Sequence, residues 1–465
     1  MTIDTEGSLI AAEEHEHTHR RALESKAVRG TYFITISYGL ALALRLLSSV
    51  ILSRLFAPQY FGLMALLTTV IVGLNLFSHI GLQDSVIQNP RGDEPAFINT
   101  AWTIQVVRGL LLWLLTLPLA WPAARFYHEP QMLVYLPVLG FGCVIAGFSS
   151  PSLLCLARHM GVGKLSFLEL LQQFTQFAVS LIWAIFQPSI WALLAGRIVS
   201  ELVRAIASYM MMPELRPQFR WEKEAVHSLV KFGRWILIGT ILTFFALQSD
   251  RLILGKLVSF QMLGIYGIAF NLSDIPRQII LQFCSRVGFP FIAKFAQRSR
   301  SEYRSILLKY RSPVLMVGGL LLIGVICTGD VFIRHVYDKR YHEAAWMIAI
   351  LTVGLWHTML YSTIIPAVLS LQKAHYNAGA YLAYCITLFT ALPLGYHFFG
   401  MTGAVFAVAF SDLPMYFVTL YSAYKEGVGT FRQDVLLTIL FILSLVAALA
   451  LRSSLGFGIP FPHIL

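Results

Sequence analysis

The sequence predicts an all-α polytopic membrane protein of 12–14 transmembrane helices, arranged as two six-helix lobes around a central cavity. Three observations predict it: charge is scarce, apolar runs of membrane length recur along the chain, and a short motif returns about 202 residues further on. Of the 465 residues, 57% are hydrophobic and 13% charged, whereas about a quarter of an ordinary soluble domain is charged. A chain so short of polar surface cannot cover itself in water, and no long hydrophilic stretch is left for a separate soluble domain.

The apolar runs fall at 31–55, 61–88, 100–124, 132–156, 165–186, 190–212, 232–257, 262–283, 313–333, 345–371, 378–399, 401–424 and 435–451, thirteen in all, each near the ~20 residues a bilayer requires. Residues 1–30 are polar and mixed in charge, without the apolar core or small-residue cleavage site of a secretory signal, and are expected as a cytoplasmic tail. His15, His17 and His19 in that tail make an adventitious metal binder at most, so no metal or cofactor is expected. Cys143, Cys155, Cys284, Cys327 and Cys385 are scattered, with no spacing for disulfides or zinc.

The formal charge of +11 would suggest nucleic acid in a soluble protein. Here it sets orientation instead. With the N-terminus cytoplasmic, the loops on that side hold about 23 Lys and Arg against about 8 on the other, four being intramembrane. The heaviest contributions are Arg216, Arg220, Lys223, Lys231 and Arg234 in one loop, and Arg286, Lys294, Arg298, Arg300, Arg304, Lys309 and Arg311 in another.

The recurring motif runs from Arg54 to Gly62 (RLFAPQYFG) and from Lys256 to Gly264 (KLVSFQMLG). An offset spanning six helices implies two lobes in parallel orientation, related by an axis along the membrane normal; the alternative is chance likeness of two apolar-flanked stretches. The organisation expected is a tail at 1–30, an N-terminal lobe at 31–212, a cytoplasmic linker at 213–231, a C-terminal lobe at 232–424, and an extra transmembrane helix with its tail at 425–465.

In the first lobe, LSRLFAPQYFGLMALLTTVIVGLNLFSHIGLQDSVIQ (52–88), ARFYHEPQMLVYLPVL (124–139) and LARHMGVGKLSFLELL (156–171) carry a pattern. In the second, FGRWILIGTILTFFALQSDRLILGKLVSFQMLGIYGIAFNLSDIP (232–276) and VYDKRYHEAAWMIAILTVG (336–354) carry its counterpart. Together they resemble the Wzx-like oligosaccharide flippases and polysaccharide transporters of the multidrug/oligosaccharidyl-lipid/polysaccharide exporter superfamily. The stretch 159–164 contains glycine where that family usually has a basic, Phe-containing segment, and a clear fourteenth helix is missing. The resemblance implies export of an undecaprenyl-diphosphate-linked oligosaccharide across a bacterial inner membrane, for O-antigen, capsule or exopolysaccharide. It also implies other polysaccharide assembly proteins as partners.

Ionisable groups deep in a bilayer are costly and normally face a cavity or each other. Arg45, Arg108, Arg197 and Arg204 are the candidate substrate-binding residues of the first lobe, since guanidinium stays charged and grips phosphate oxygens in a fork. The alternative gives Glu201 to Arg197 and Arg204 as a structural partner and sends Arg108 to the interface. Arg45 has no acid one turn away.

In the second lobe, Asp250 and Arg251 are expected to pair. Asp274 and Asp412 are the candidate residues for cation coupling, to H⁺ or Na⁺. Each stands in a Ser-Asp-aliphatic-Pro setting, Ser273–Pro276 and Ser411–Pro414, where proline frees the carbonyls of Leu272 and Phe410 beside a carboxylate and a hydroxyl. The alternative is Asp274 paired with Arg277, plus ordinary kinks. Gly264 with Gly267, and Gly403 with Ala407, read as small residues for close helix packing.

No nucleotide-binding motif is present, so the chain carries no ATPase. An enzyme on the same lipid carrier would need convergent acid/base groups, for which Asp330, Asp338, Lys339, Arg340, His342 and Glu343 are the one cluster. A multidrug/cation antiporter of the same superfamily would favour an acidic or aromatic cavity, which the arginines oppose. The reading is therefore a transporter and not an enzyme.

Overall fold

The computed structural model describes residues 36–79, 81–159 and 161–461. The expected tail, with its three histidines, and the start of the first span lie outside the described residues. Every other expected span is helical, and among the described residues there is no strand.

The helices are α1 (Ile36–Leu55), α2 (Pro58–Phe77), α3 (Leu82–Gln88), α4 (Pro95–Tyr127), α5 (Met132–Gly147), α6 (Ser152–Arg158), α7 (Val162–Phe186) and α8 (Ile190–Met211). The second half has α9 (Lys223–Leu257), α10 (Phe260–Ser273), α11 (Ile275–Phe283), α12 (Phe289–Ala293), α13 (Arg300–Val336), α14 (Ala344–Ser362), α15 (Ile365–Ser370), α16 (Ala374–Phe410), α17 (Leu413–Lys425) and α18 (Phe431–Ser454). Eight stretches among the described residues are long and apolar enough to cross a membrane, and nine if α5 and α6, bent by 67°, count as one. Apart from α9, which carries the expected span 232–257, the gap from thirteen has physical causes. Arg197, Glu201 and Arg204 make α8 amphipathic, and the α10/α11 span is divided at Asp274–Pro276. The stretch from α16 to α17 is two spans in one, turned at Gly400, whose φ of 59° only glycine adopts readily.

Of the expected linker, 213–222 is non-helical and the rest forms the first turns of α9. It is strapped to α4: the backbone N–H groups of Gln218, Arg220 and Glu222 donate to Asn99 Oδ1, Thr103 Oγ1 and Thr100 Oγ1 at 3.1, 3.0 and 3.3 Å.

The two copies of the recurring motif meet. A Cβ added at Gly62 would fall on the carbonyl oxygen of Phe260, and one added at Gly264 on that of Pro58. The contacts are reciprocal at the same offset of 202 residues, as a two-fold relation requires. Gly267 has open space beside it, so Gly264 alone of that pair packs; Gly403 packs against Gly395 across the Gly400 turn.

The core is distributed unevenly along the helices. At the face carrying the short links 56–57, 258–259 and 337–343, one cluster takes Leu63, Leu67 and Leu136 from the first half with Leu263, Ile333 and Ala344 from the second. At the opposite, basic face the clusters separate. Leu82, Val86, Phe97 and Leu154 pack with Ala225 and Leu229 of the α9 start, while Ile292, Tyr303, Leu307 and Ile364 pack among themselves. The halves thus share a broad core at the short-link face, while at the other the first-half cluster takes in only the start of α9 from the second half.

Candidate functional site

Two polar chambers lie among the helices. The first, in the N-terminal half, has about 320 Å³ open to water and is lined by Asn75, Gln105, Arg108, Glu169 and Arg204 among others. Gly109 and Gly147 make room for it by letting α4 and α5 touch backbone to backbone. Arg108, half-buried on α4, donates from Nε to Ser78 Oγ at 2.9 Å and from Nη2 to Asn75 O at 2.8 Å and Oδ1 at 3.2 Å. Among the described residues no carboxylate pairs with it, and Arg204 Nε is buried without a hydrogen-bond partner.

Arg197 does not join that pair of cations. It forms an ion pair with Glu201 at 2.7 Å one turn along α8, so of the two partners considered for Glu201 the structure selects Arg197. Arg45 lies outside this chamber too. It reaches across to the second half, donating to Gln278 Oε1 at 3.4 Å. The structure therefore brings Arg108 and Arg204 together and leaves Arg45 and Arg197 elsewhere.

The second chamber, in the C-terminal half, is smaller, about 70 Å³ open to water, and is lined by Asp250, Asp274, Arg277, Tyr384 and Asp412. Both expected carboxylates face it because each proline ends one helix and starts another: Asp274 caps α11 and Asp412 caps α17. Asp274 pairs with Arg277 and accepts from Gln278 Nε2 at 3.0 Å. Asp412 accepts from Thr358 Oγ1 at 2.6 Å and Tyr361 OH at 3.3 Å, and its other oxygen meets His357 Nε2. His357, Thr358 and Tyr361 were not legible in the sequence as site residues, since each is one polar residue in the apolar run that forms α14.

Three expectations are corrected. Asp250 does not pair with Arg251: Tyr266 OH donates to Asp250 at 2.7 Å, while Arg251 turns to Gln248 and lies over the Phe270 ring. Neighbours on a helix diverge by about 100°, which separates the two side chains. Arg311 is no loop residue but fully buried, in an ion pair with Asp434 at 2.7 Å and hydrogen-bonded to Thr363, Leu360 and Gln433. Asp330 likewise leaves the supposed outer cluster and pairs with Arg452 at 2.5 Å inside the protein. What remains is a turn in which Arg340 hydrogen-bonds Asp338 and holds its carboxyl below the usual carboxylate range. Those residues do not converge as acid and base.

Comparison with known proteins adds the following. A profile of the family described as polysaccharide biosynthesis proteins matches residues 51–346. The lipopolysaccharide biosynthesis protein WzxC of Escherichia coli (strain K12) is 20% identical over 333 residues, 71% of this chain and 67% of that protein. The chain spans about two thirds of the length of the curated relatives it matches. Among solved structures, the lipid II flippase MurJ in an inward closed conformation superposes with a TM-score of 0.69 at 11% identity, over 92% of this chain and 99% of that one. A multidrug resistance MATE family transporter of the MOP superfamily, inward-facing, also gives 0.69 at 11% identity, over 83% and 94%. At such identity these two structures establish the fold alone.

Proposed function

The chain belongs to the family of polysaccharide biosynthesis proteins, and from that membership we propose that it is a flippase, carrying an undecaprenyl-diphosphate-linked oligosaccharide from the cytoplasmic to the outer leaflet of a bacterial inner membrane. In this reading the N-terminus is cytoplasmic, the basic face is the cytoplasmic side, and two lobes rock about the cavity between them by alternating access. The polyprenyl tail stays in lipid while the headgroup crosses.

The observation that carries the proposal is the environment of Arg108. A guanidinium in a polar chamber with only neutral partners keeps its charge uncompensated, and Arg204 lines the same chamber with a nitrogen unpartnered among the described residues. Two such groups suit a diphosphate, whose oxygens replace water as acceptors without displacing a resident carboxylate. Glu169, facing the same space, would orient a sugar hydroxyl. For coupling, we assign Asp412 with His357, and Asp274 with Arg277, as the groups that exchange H⁺ or Na⁺ during the cycle. Both sit where one helix ends and another begins, so a change of charge there acts on a bend.

The test is transport in reconstituted vesicles, following a labelled undecaprenyl-diphosphate oligosaccharide against an organic cation. The lipid-linked sugar crosses and the cation does not. Arg108→Gln raises the half-saturating concentration of the lipid roughly 10- to 100-fold, the loss expected for one or two charge-assisted hydrogen bonds. Transport of the cation alone, insensitive to Arg108→Gln, would replace this reading with the antiporter.

A further inference from the structure

The recurring motif does more than bring two glycines together. Arg54 and Lys256 occupy the same place in it, each the penultimate residue of its helix, 202 residues apart. Each crosses to the other half at the short-link face. Arg54 Nη2 donates to the carbonyl of Val336, the last residue of α13, at 3.2 Å. Lys256 Nζ donates to the carbonyl of Phe126, in the last turn of α4, at 2.5 Å.

The residue after each acceptor is a tyrosine, and it reaches back. Tyr337 OH donates to Ser49 Oγ at 3.0 Å on α1, and Tyr127 OH donates to the carbonyl of Leu252 at 3.3 Å on α9. The result is one device built twice, with a cation from one half at the carbonyl end of a helix in the other. That end carries the negative pole of the helix and several orphan carbonyls, so a cation is favoured there.

We propose that Arg54 and Lys256 are gating residues, a pair of symmetry-related latches that hold the short-link face shut. The proposal concerns conformation and stands whether or not the transported species is a lipid-linked sugar. The two latches share no hydrogen-bond partner, so their effects on the closed state multiply. They lie at the protein surface, and each is therefore worth a modest factor, suited to a gate that must open in every cycle.

The test is alkylation of a single cysteine beneath the latch. Ala344→Cys, fully buried in the core that the halves share, is placed in a variant lacking the native cysteines, and the purified protein is labelled with a polar maleimide in nanodiscs. Labelling reports the open fraction. Arg54→Gln and Lys256→Gln should each raise its rate roughly threefold and the pair roughly tenfold, with Arg54→Lys close to the parent. Arg125→Gln is the control, since that cation lies over Trp121 of its own helix. An unchanged rate in the double variant, or an equal rise in Arg125→Gln, would overturn the proposal. Unaltered melting of the labelled variants separates gate opening from unfolding.

Discussion

Replacing Gly62 by alanine tests how the halves are joined, and the structure gives the size of the effect. The new Cβ would fall on Phe260 O and 2.9 Å from Gly264 N, whereas real Cβ atoms stop near 3.0 Å. Both obstacles are backbone, so no rotamer relieves the overlap and α2 must part from α10 by about 1 Å. Such overpacking costs about 2 kcal/mol, or roughly thirtyfold in the ratio of closed to open short-link face. Labelling of the cysteine at position 344 should rise by that factor. Gly264→Ala should match it, because its Cβ meets Pro58 O in the reciprocal way, and the double variant should add little once the helices have separated. Gly267→Ala, with open space at the Cβ position, should leave labelling alone. The reasoning fails if Gly62→Ala labels like the parent, or if Gly264→Ala is silent where Gly62→Ala is severe.

Further outcomes follow from the two chambers and the buried pairs. Arg204→Gln should impair transport of the lipid-linked sugar more than Arg197→Gln, since Arg197 is already neutralised by Glu201; dose–response curves in vesicles compare them. Asp412→Asn and His357→Gln should both abolish the dependence of transport on an imposed proton or sodium gradient, and retention of that dependence in both would remove the coupling role. Arg311→Met should lower stability by about 3–5 kcal/mol by leaving Asp434 buried and unpaired, while Arg311→Met with Asp434→Leu recovers most of it, read from thermal unfolding in detergent.

The spans were legible because a bilayer dictates both their length and their composition, and the breaks at Asp274 and Asp412 because proline announces them. The four arginines were legible as rare charges in apolar runs, but their sorting was not. Whether a guanidinium meets Glu201 on its own helix or Asn75 on another depends on rotation about the helix axis, which a sequence with weak apolar periodicity leaves open. The pairs Arg311–Asp434 and Asp330–Arg452 escaped notice for another reason. Their members stand more than a hundred residues apart, and a basic residue near the end of an apolar run is read as loop under the positive-inside rule. In fact α13 runs unbroken from Arg300 to Val336 and carries Arg311 into the interior.

Those same pairs decide which seams of the protein give way. Arg311–Asp434 lies toward one end of α18 and Asp330–Arg452 toward the other, so α18 is tied to α13 at two depths although most of its surface faces outward. Breaking either tie strands a charge in a low-dielectric interior, a cost of several kcal/mol, and α13 and α18 therefore move together. Between the halves the ties are of another kind: exposed cations on carbonyls, tyrosine hydroxyls, the contact of Arg45 with a neutral glutamine, and the ion pairs of Arg91 with Glu222 and Glu224 at the start of α9. None of these strands a buried charge when released, since water replaces the protein partner at small cost. The shared core joins many helices of the two halves at the short-link face, whereas at the basic face the first-half cluster takes in only Ala225 and Leu229, at the start of α9, from the second. Motion that exchanges access is therefore cheapest as a rotation of one half against the other, with the short-link seam releasing where α2 and α10 touch through Gly62 and Gly264.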